Sequence, residues 1–378
     1  MMKVLTQFEG KSLLFRDPEF IISCNHPDSF ESSFEDIERA LSRGYYLAGF
    51  LSYEAGYCFE KKLIQDKKRD FPLIYLGAYK HILKDRLIEG GSDYRLRYPR
   101  LNIAQEQYSL NINTIRNHIA RGDVYQITYC LKLLFEFYGF PLSLYYHLLK
   151  KQPVPYPAYI QTEDFQILSL SPELFIKKKS TRLLSKPMKG TWPRGNGLFS
   201  DLIAALRLRY DRKNRAENVM IADLLRNDLG RMGLDIKAPA LFEVARYKTL
   251  CQMTSTVTAR VEKNLPVYKL FSSVFPSGSV TGAPKIRAME LIGQLESEER
   301  KIYTGAIGYI SPDKDMFFNI PIRTILIKGR PDSLSDRPAE MGIGGGIVWD
   351  STPAGEWEEG LLKARFLTEL FDPCFCPV

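Results

Sequence analysis

The sequence predicts an α+β fold in which large antiparallel β-sheets pack as a sandwich with helices on the outer faces. Short apolar runs bounded by turn residues recur along the chain and long helical stretches are few. Strands and helices do not alternate regularly, as a parallel sheet would require. At 378 residues, with 45% apolar and 25% charged residues, the composition is globular, and the length exceeds the ~100–200 residues of one domain.

In chain order, residues 45–53 read as a buried strand and 73–78 as another. The charged text over 85–100, centred on Glu89-Gly90-Gly91-Ser92-Asp93, is the best candidate for an exposed connection. A boundary there divides the chain into a β-rich N-terminal part over 1–100 packed onto the core, a main part over 101–370 that carries the chemistry, and a tail over 371–378. Ile112, Ile115 and Ile119 recur at helical spacing up to Gly122, whose missing Cβ suits a helix end. A strand follows over 124–137. Residues 202–231 contain no proline and predict a long helical segment, and Pro284 opens a second over Lys285–Leu295. Strands are expected over 253–261, 305–310, 317–328 and 341–348.

Lys+Arg 52 against Asp+Glu 44 gives a formal charge of +8. No basic run is longer than Lys177-Lys178-Lys179 and acids are interspersed, so the bias suits attraction of small anions. A non-enzymatic alternative, a basic nucleic-acid-binding protein, rests on a pI of about 9.0 alone and lacks a basic stripe. The six cysteines (24, 58, 130, 251, 374, 376) are scattered without zinc-ligand spacing, which fits reduced thiols in a cytoplasmic protein. The first residues lack an apolar leader core, and no apolar run reaches the ~18–20 residues of a membrane span.

Five islands stand out. A glycine turn at Gly122 delivers Gln126 onto a strand, and Ser171-Pro172-Glu173 places a carboxylate after a strand and a proline turn. The loop Lys186-Pro187-Met188-Lys189-Gly190-Thr191-Trp192-Pro193-Arg194-Gly195 holds three cations on a restricted backbone. The N–H groups of Gly190 and Thr191 can approach an anion there, and a lysine in a partly dry pocket can lose its proton and become a nucleophile. Lys186 and Arg194 are expected to supply the positive field that favours this. The helix carrying Glu217 continues to Asp228 and Arg231, which are expected to pair on its surface. Last come Ser277 to Lys285 at a helix start, Arg323 on a strand, Gly342 to Gly346, and Glu356, Glu359 and Lys363. Glu356 and Glu359 are three apart and Lys363 is four beyond Glu359, so all three share one helix face. With Glu217 the two glutamates would make an oxygen-rich Mg²⁺ site. Taken singly, each island has an ordinary reading as a turn, an exposed loop or a solvated helix with salt bridges.

Together and in this order, from about Tyr108 to Leu367, the islands resemble the chorismate-utilising enzymes, most closely the branch that aminates chorismate at C4 in folate biosynthesis, the aminodeoxychorismate synthases. The strongest pieces are Arg215-Ala216-Glu217-Asn218 through Leu229-Gly230-Arg231 and Phe275-Pro276 through Gly308-Tyr309. The resemblance implies that Glu217, Glu356 and Glu359 hold Mg²⁺ against the ring carboxylate of chorismate. It implies substrate-carboxylate contacts from Arg323 and Lys363, and a pocket lined by Gly190, Thr191, Ser279, Tyr303 and a turn at Gly344, Gly345 and Gly346. Glu173 matches the acid that protonates the departing C4 hydroxyl.

Gln126 stands where water-using relatives carry a basic lysine, which disfavours a water nucleophile. Lys189 stands where anthranilate synthases typically carry alanine, and suggests covalent catalysis: the amine attacks ring C2 as the C4 hydroxyl leaves, then ammonia attacks C4 and expels the lysine. Anthranilate synthase component I is the alternative reading. Gln252, Asn214 and Trp192 depart from the family pattern of histidine, acid and arginine. No cysteine sits in a glycine-rich nucleophile elbow, so ammonia is expected from a separate glutamine amidotransferase subunit. A separate aminodeoxychorismate lyase is expected downstream.

Overall fold

A computed structural model describes residues 2–66, 68–84, 93–194, 197–246, 250–333 and 335–371. Most of the expected connection around Gly90, together with Gly195, Cys374, Cys376 and all of the tail but Phe371, lies outside the described residues.

Among the described residues, strands form two antiparallel sheets of nine and ten strands. The first runs in the order Gly282–Ala283, Gln126–Gly139, Arg337–Ile347, Thr324–Lys328, Phe165–Ser171, Tyr156–Gln161, Lys3–Phe8, Lys11–Arg16, with Tyr94–Leu101 added to Gln126–Gly139. The second runs Met188–Pro193, Leu250–Arg260, Arg182–Lys186, Leu174–Lys179, Met316–Asn319, Ala306–Ile310, Tyr46–Leu51, Ile74–Tyr79, Phe20–Cys24, with Leu234–Arg246 added to Leu250–Arg260.

The two sheets face each other across a dry core. Val4, Phe15 and Ile167 of the first meet Phe50, Leu174 and Ile307 of the second, which makes the sandwich. On the outer face of the second sheet lie Phe30–Ser42, Arg212–Gly230 and Val267–Val274, buried through Phe34, Ile37, Ile221, Leu225 and Phe271. Gln105–Ala120, Pro141–Lys151, Lys285–Leu295 and Pro353–Thr368 cover the first through Tyr108, Ile112, Leu144, Leu291 and Ala364. Because both faces are covered, Gln126–Gly139 begins with eight consecutive buried residues instead of alternating. Strands from the first hundred residues complete both sheets: Lys3–Phe8 pairs with Tyr156–Gln161, and Tyr46–Leu51 with Ala306–Ile310.

Three sequence expectations change. The proline-free stretch over 202–231 is two helices, Leu198–Tyr210 and Arg212–Gly230. Asp211 is extended between them (φ −64°, ψ 122°), and its carboxylate caps the second helix by accepting the Asn214 N–H at 2.8 Å. The run over 317–328 is likewise two strands in different sheets, Met316–Asn319 and Thr324–Lys328. Pro321, which has no N–H, and Arg323 at φ +52° turn the chain from one sheet to the other. Asp228 does not pair with Arg231. It is buried and bonds Lys285 Nζ at 2.6 Å, tying Arg212–Gly230 to the start of Lys285–Leu295.

Candidate active site

Phe165–Ser171 belongs to the first sheet and Leu174–Lys179 to the second, so the chain crosses between them at Pro172-Glu173. The crossing near Pro321 runs beside it, and Ile320 N–H donates to the Glu173 carbonyl at 3.1 Å. Glu173 is thereby held inside the sandwich, 3% exposed. Its Oε1 accepts Ser279 Oγ–H at 2.7 Å and Met188 N–H at 3.3 Å. Burial pushes this carboxyl up to about 7, against the lowering pull of the Ser279 hydroxyl, the Lys189 ammonium and the Met188 N–H.

Met188 opens the strand that carries Lys189. Its pairing with Leu250–Arg260 slips between Met188 and Thr191, and in this bulge Gly190 takes φ +88°. Glycine is required there twice over, since a Cβ would also lie 2.8 Å from Asn214 Oδ1 at the start of the Glu217 helix. The bulge aims Lys189 across the gap between the sheets. A Cβ on Gly346, in the first sheet, would lie 3.1 Å from Lys189 Nζ and 2.2 Å from Gln126 Nε2. Lys189, Gln126 and Gly346 therefore meet at one point. Desolvation holds the Lys189 pKa below the ordinary lysine value; Glu217, Glu173 and Glu359 oppose this and Lys363 assists it. The assisting cation is thus Lys363, not the expected Lys186 or Arg194, and the Arg194 guanidinium is bonded to Asp201.

Gly344, Gly345 and Gly346 are not a turn. They lie within Arg337–Ile347, opposite Cys130, Tyr129 and Thr128. The missing side chain of Gly345 makes room for the Pro353–Thr368 helix: a Cβ there would lie 2.9 Å from Glu356 Oε2, 3.5 Å from Lys363 Nζ and 3.6 Å from Glu359 Oε1. Lys363 Nζ bonds the Gly344 carbonyl and Glu359 Oε1, both at 2.7 Å. Glu356 Oε1 accepts Ser351 Oγ–H at 2.6 Å.

Burial first, and the neighbouring Glu359, raise the Glu356 carboxyl; burial also raises Glu217, to which Glu359 adds. Glu359 is instead lowered, chiefly by Lys363. The oxygens of Glu217, Glu356 and Glu359 do not all come within 4.8 Å of one another. Even so, the hard oxygen donors Glu217 and Glu356, both raised by Glu359, in a partly dry pocket fit a divalent cation such as Mg²⁺.

Of the remaining expected residues, Ser279 sits in the buried turn Gly278–Val280 and reaches Glu173 as described. Tyr303 is buried with its ring against Gly342, where a Cβ would lie 2.2 Å from the ring, and beside Cys130. It thus packs further along the Arg337–Ile347 strand than the Gly345–Gly346 point. Arg323 stands at the crossing, where its carbonyl accepts Leu170 N–H at 3.1 Å. The Thr191 backbone pairs with Gln252, whose buried Oε1 has no partner among the described residues. Asn218, one residue beyond Glu217, accepts a hydrogen bond from Ser255 Oγ. Sequence reasoning passed over Lys213, one helical turn before Glu217, which lowers the carboxyls of Glu217, Glu356 and Glu359. Its spacing of four from Glu217 was the available signal.

This fold and this cluster define a class, and the chain belongs to the chorismate binding enzyme family, whose model matches residues 87–369. Among its relatives, aminodeoxychorismate synthase component 1 of Bacillus subtilis is 36% identical over 262 residues, covering 69% of this chain and 54% of that one. Anthranilate synthase component 1 of Streptomyces coelicolor is also 36% identical, over 267 residues, covering 70% and 51%. The chain spans about half the length of these relatives. The menaquinone-specific isochorismate synthase of Escherichia coli shares the fold, with a TM-score of 0.77 at 16% identity over 98% of this chain and 89% of that one.

Proposed function

We propose that the chain converts chorismate and ammonia to 4-amino-4-deoxychorismate, with ammonia supplied from glutamine by a partner subunit, in the route to 4-aminobenzoate and folate. The reading includes a cytoplasmic location and a separate lyase that consumes the product. The observation that carries it is the meeting of Lys189 Nζ with the Gln126 amide over Gly346, in surroundings that favour the neutral amine.

In this reading Lys189 Nζ attacks ring C2, the ring double bond shifts, and the C4 hydroxyl departs as water with the proton of Glu173. The adduct nitrogen loses a proton. Ammonia then attacks C4, the double bond shifts back, and the lysine amine is expelled as its nitrogen takes up a proton, matched by the one the new C4 ammonium gives up. Glu173 is suited to giving a proton near neutral pH because burial raises its pKa. Gln126 cannot take a proton from water, which supports a nitrogen nucleophile. Glu217, Glu356 and Glu359 would hold Mg²⁺, which supplies charge neutralisation and orientation for a substrate carboxylate.

The test is product identification from chorismate, Mg²⁺ and ammonia, together with mass spectrometry of the protein mixed with chorismate without ammonia. The expected results are 4-amino-4-deoxychorismate and an adduct on Lys189. Anthranilate as the direct product, or no adduct combined with a fully active Lys189→Ala variant, would sink the reading.

A further inference from the structure

The helix Leu198–Tyr210 is apolar on two opposite sides. Its inner side buries Ala204, Ala205 and Leu208, and the last two pack on Cys251 and Met253 of the second sheet. Phe199, Leu202, Ile203, Leu206 and Tyr210, at spacings of three, four, seven and eleven from the first, form a second stripe that faces water. Phe199 is 78% and Tyr210 64% exposed. A helix docked on one sheet needs one apolar stripe, and a second, continuous one marks an interaction surface.

Arg207 and Arg209 are exposed and, at eight and ten residues from Phe199, flank this stripe on its two edges. The helix's own carboxylate, Asp201, is buried against Arg194 and absent from the rim. The partner that fits is therefore a protein surface with an apolar centre and an acidic border.

Position says which partner. The inner side of the helix rests on Leu250–Arg260, which pairs with the Met188–Pro193 strand bearing Lys189. Its C-terminal end runs through Asp211 into the helix bearing Glu217. We propose that the outer stripe of Leu198–Tyr210 seats the glutamine amidotransferase chain, an inference that rests on the function proposed above. A chain docked there lies one layer from the amine that its ammonia must displace.

The test pairs the double variant Phe199→Asp/Leu206→Glu with the purified cognate amidotransferase chain. Affinity measured by calorimetry should fall on the order of tenfold or more, as when central apolar anchors are lost, and glutamine-dependent product formation should fall with it. Ammonia-dependent turnover and the thermal midpoint should stay at wild-type values. If the double variant melts early, Arg207→Glu/Arg209→Glu, which alters surface charge alone, should weaken the same binding. Unchanged amidotransferase affinity in a folded variant of either kind would overturn the proposal. So would loss of wild-type self-association with amidotransferase binding intact, which would give the stripe to a second copy of this chain. Absence of any product from chorismate and ammonia would reject the proposed function, while the binding comparison would still decide the docking face.

Discussion

Ser279 Oγ donates a 2.7 Å hydrogen bond to Glu173 Oε1, joining the turn before Lys285–Leu295 to the crossover between the two sheets. The bond pulls the Glu173 pKa down against burial. Ser279→Ala removes that pull, so the carboxyl holds its proton to higher pH. If Glu173 acts as an acid, the alkaline limb of kcat against pH should move upward in Ser279→Ala. Glu173→Gln should slow turnover by roughly 10²–10⁴-fold. A limb that does not move in Ser279→Ala would separate the observed titration from Glu173.

The same carboxyl makes a stability prediction. Its folded pKa of about 7 exceeds the unfolded value of 4.5, so it contributes stability that is fully present below 4.5 and is lost as pH rises through about 7. Glu54, buried and also pushed up to about 7, acts in the same sense. The thermal midpoint should therefore fall between about pH 5 and about pH 8, and Glu173→Gln should flatten part of that fall. Parallel pH curves for the wild type and the variant would contradict this.

Gly346→Ala should leave the fold in place and damage turnover. Its new methyl would stand 2.2 Å from Gln126 Nε2 and 3.1 Å from Lys189 Nζ, so both side chains must shift. A displacement near 1 Å at a reacting group costs on the order of 10²-fold in rate. Unaltered kcat would mean that Lys189 does not react from this position.

Chelation tests the carboxylate cluster. EDTA should abolish turnover and Mg²⁺ should restore it. Glu356→Gln keeps an oxygen but removes one negative charge from the donor set, and should weaken Mg²⁺ binding measured by calorimetry in the absence of substrate. Mg²⁺ affinity that survives the substitution would assign the cation to other residues.

Asp211→Ala should destabilise the chain by about 1 kcal/mol in urea unfolding, because the Asn214 N–H loses its cap. A neutral result would mean that solvent replaces the cap without cost.

Much of this molecule is legible from local chemistry. Pro284 and the apolar spacing behind it mark Lys285–Leu295, and the structure starts and stops that helix at the same residues. The spacing of Glu356, Glu359 and Lys363 puts them on one helix face, and all three do crowd Gly345. Local patterns failed where the signal was a side chain's choice of partner. A proline-free stretch reads as one helix, but Asp211 satisfies an N–H as a cap better than it continues a turn.

What the sequence determined by itself was the kind of fold, the family resemblance and the inventory of reactive groups, because these depend on residue type, periodicity and spacing along the chain. Which of those groups meet was settled by the folded chain alone. Glu173 and Ser279 are 106 residues apart, and Gly346 stands opposite Lys189 from the other sheet. Two sheet crossings bring Glu173 inward, and a one-strand bulge aims Lys189. Their altered proton affinities arise from burial and from charges on other elements, such as Lys363 of the Pro353–Thr368 helix for Lys189. Neither burial nor a distant charge is written in the neighbouring residues, so those properties exist only once the sandwich has closed.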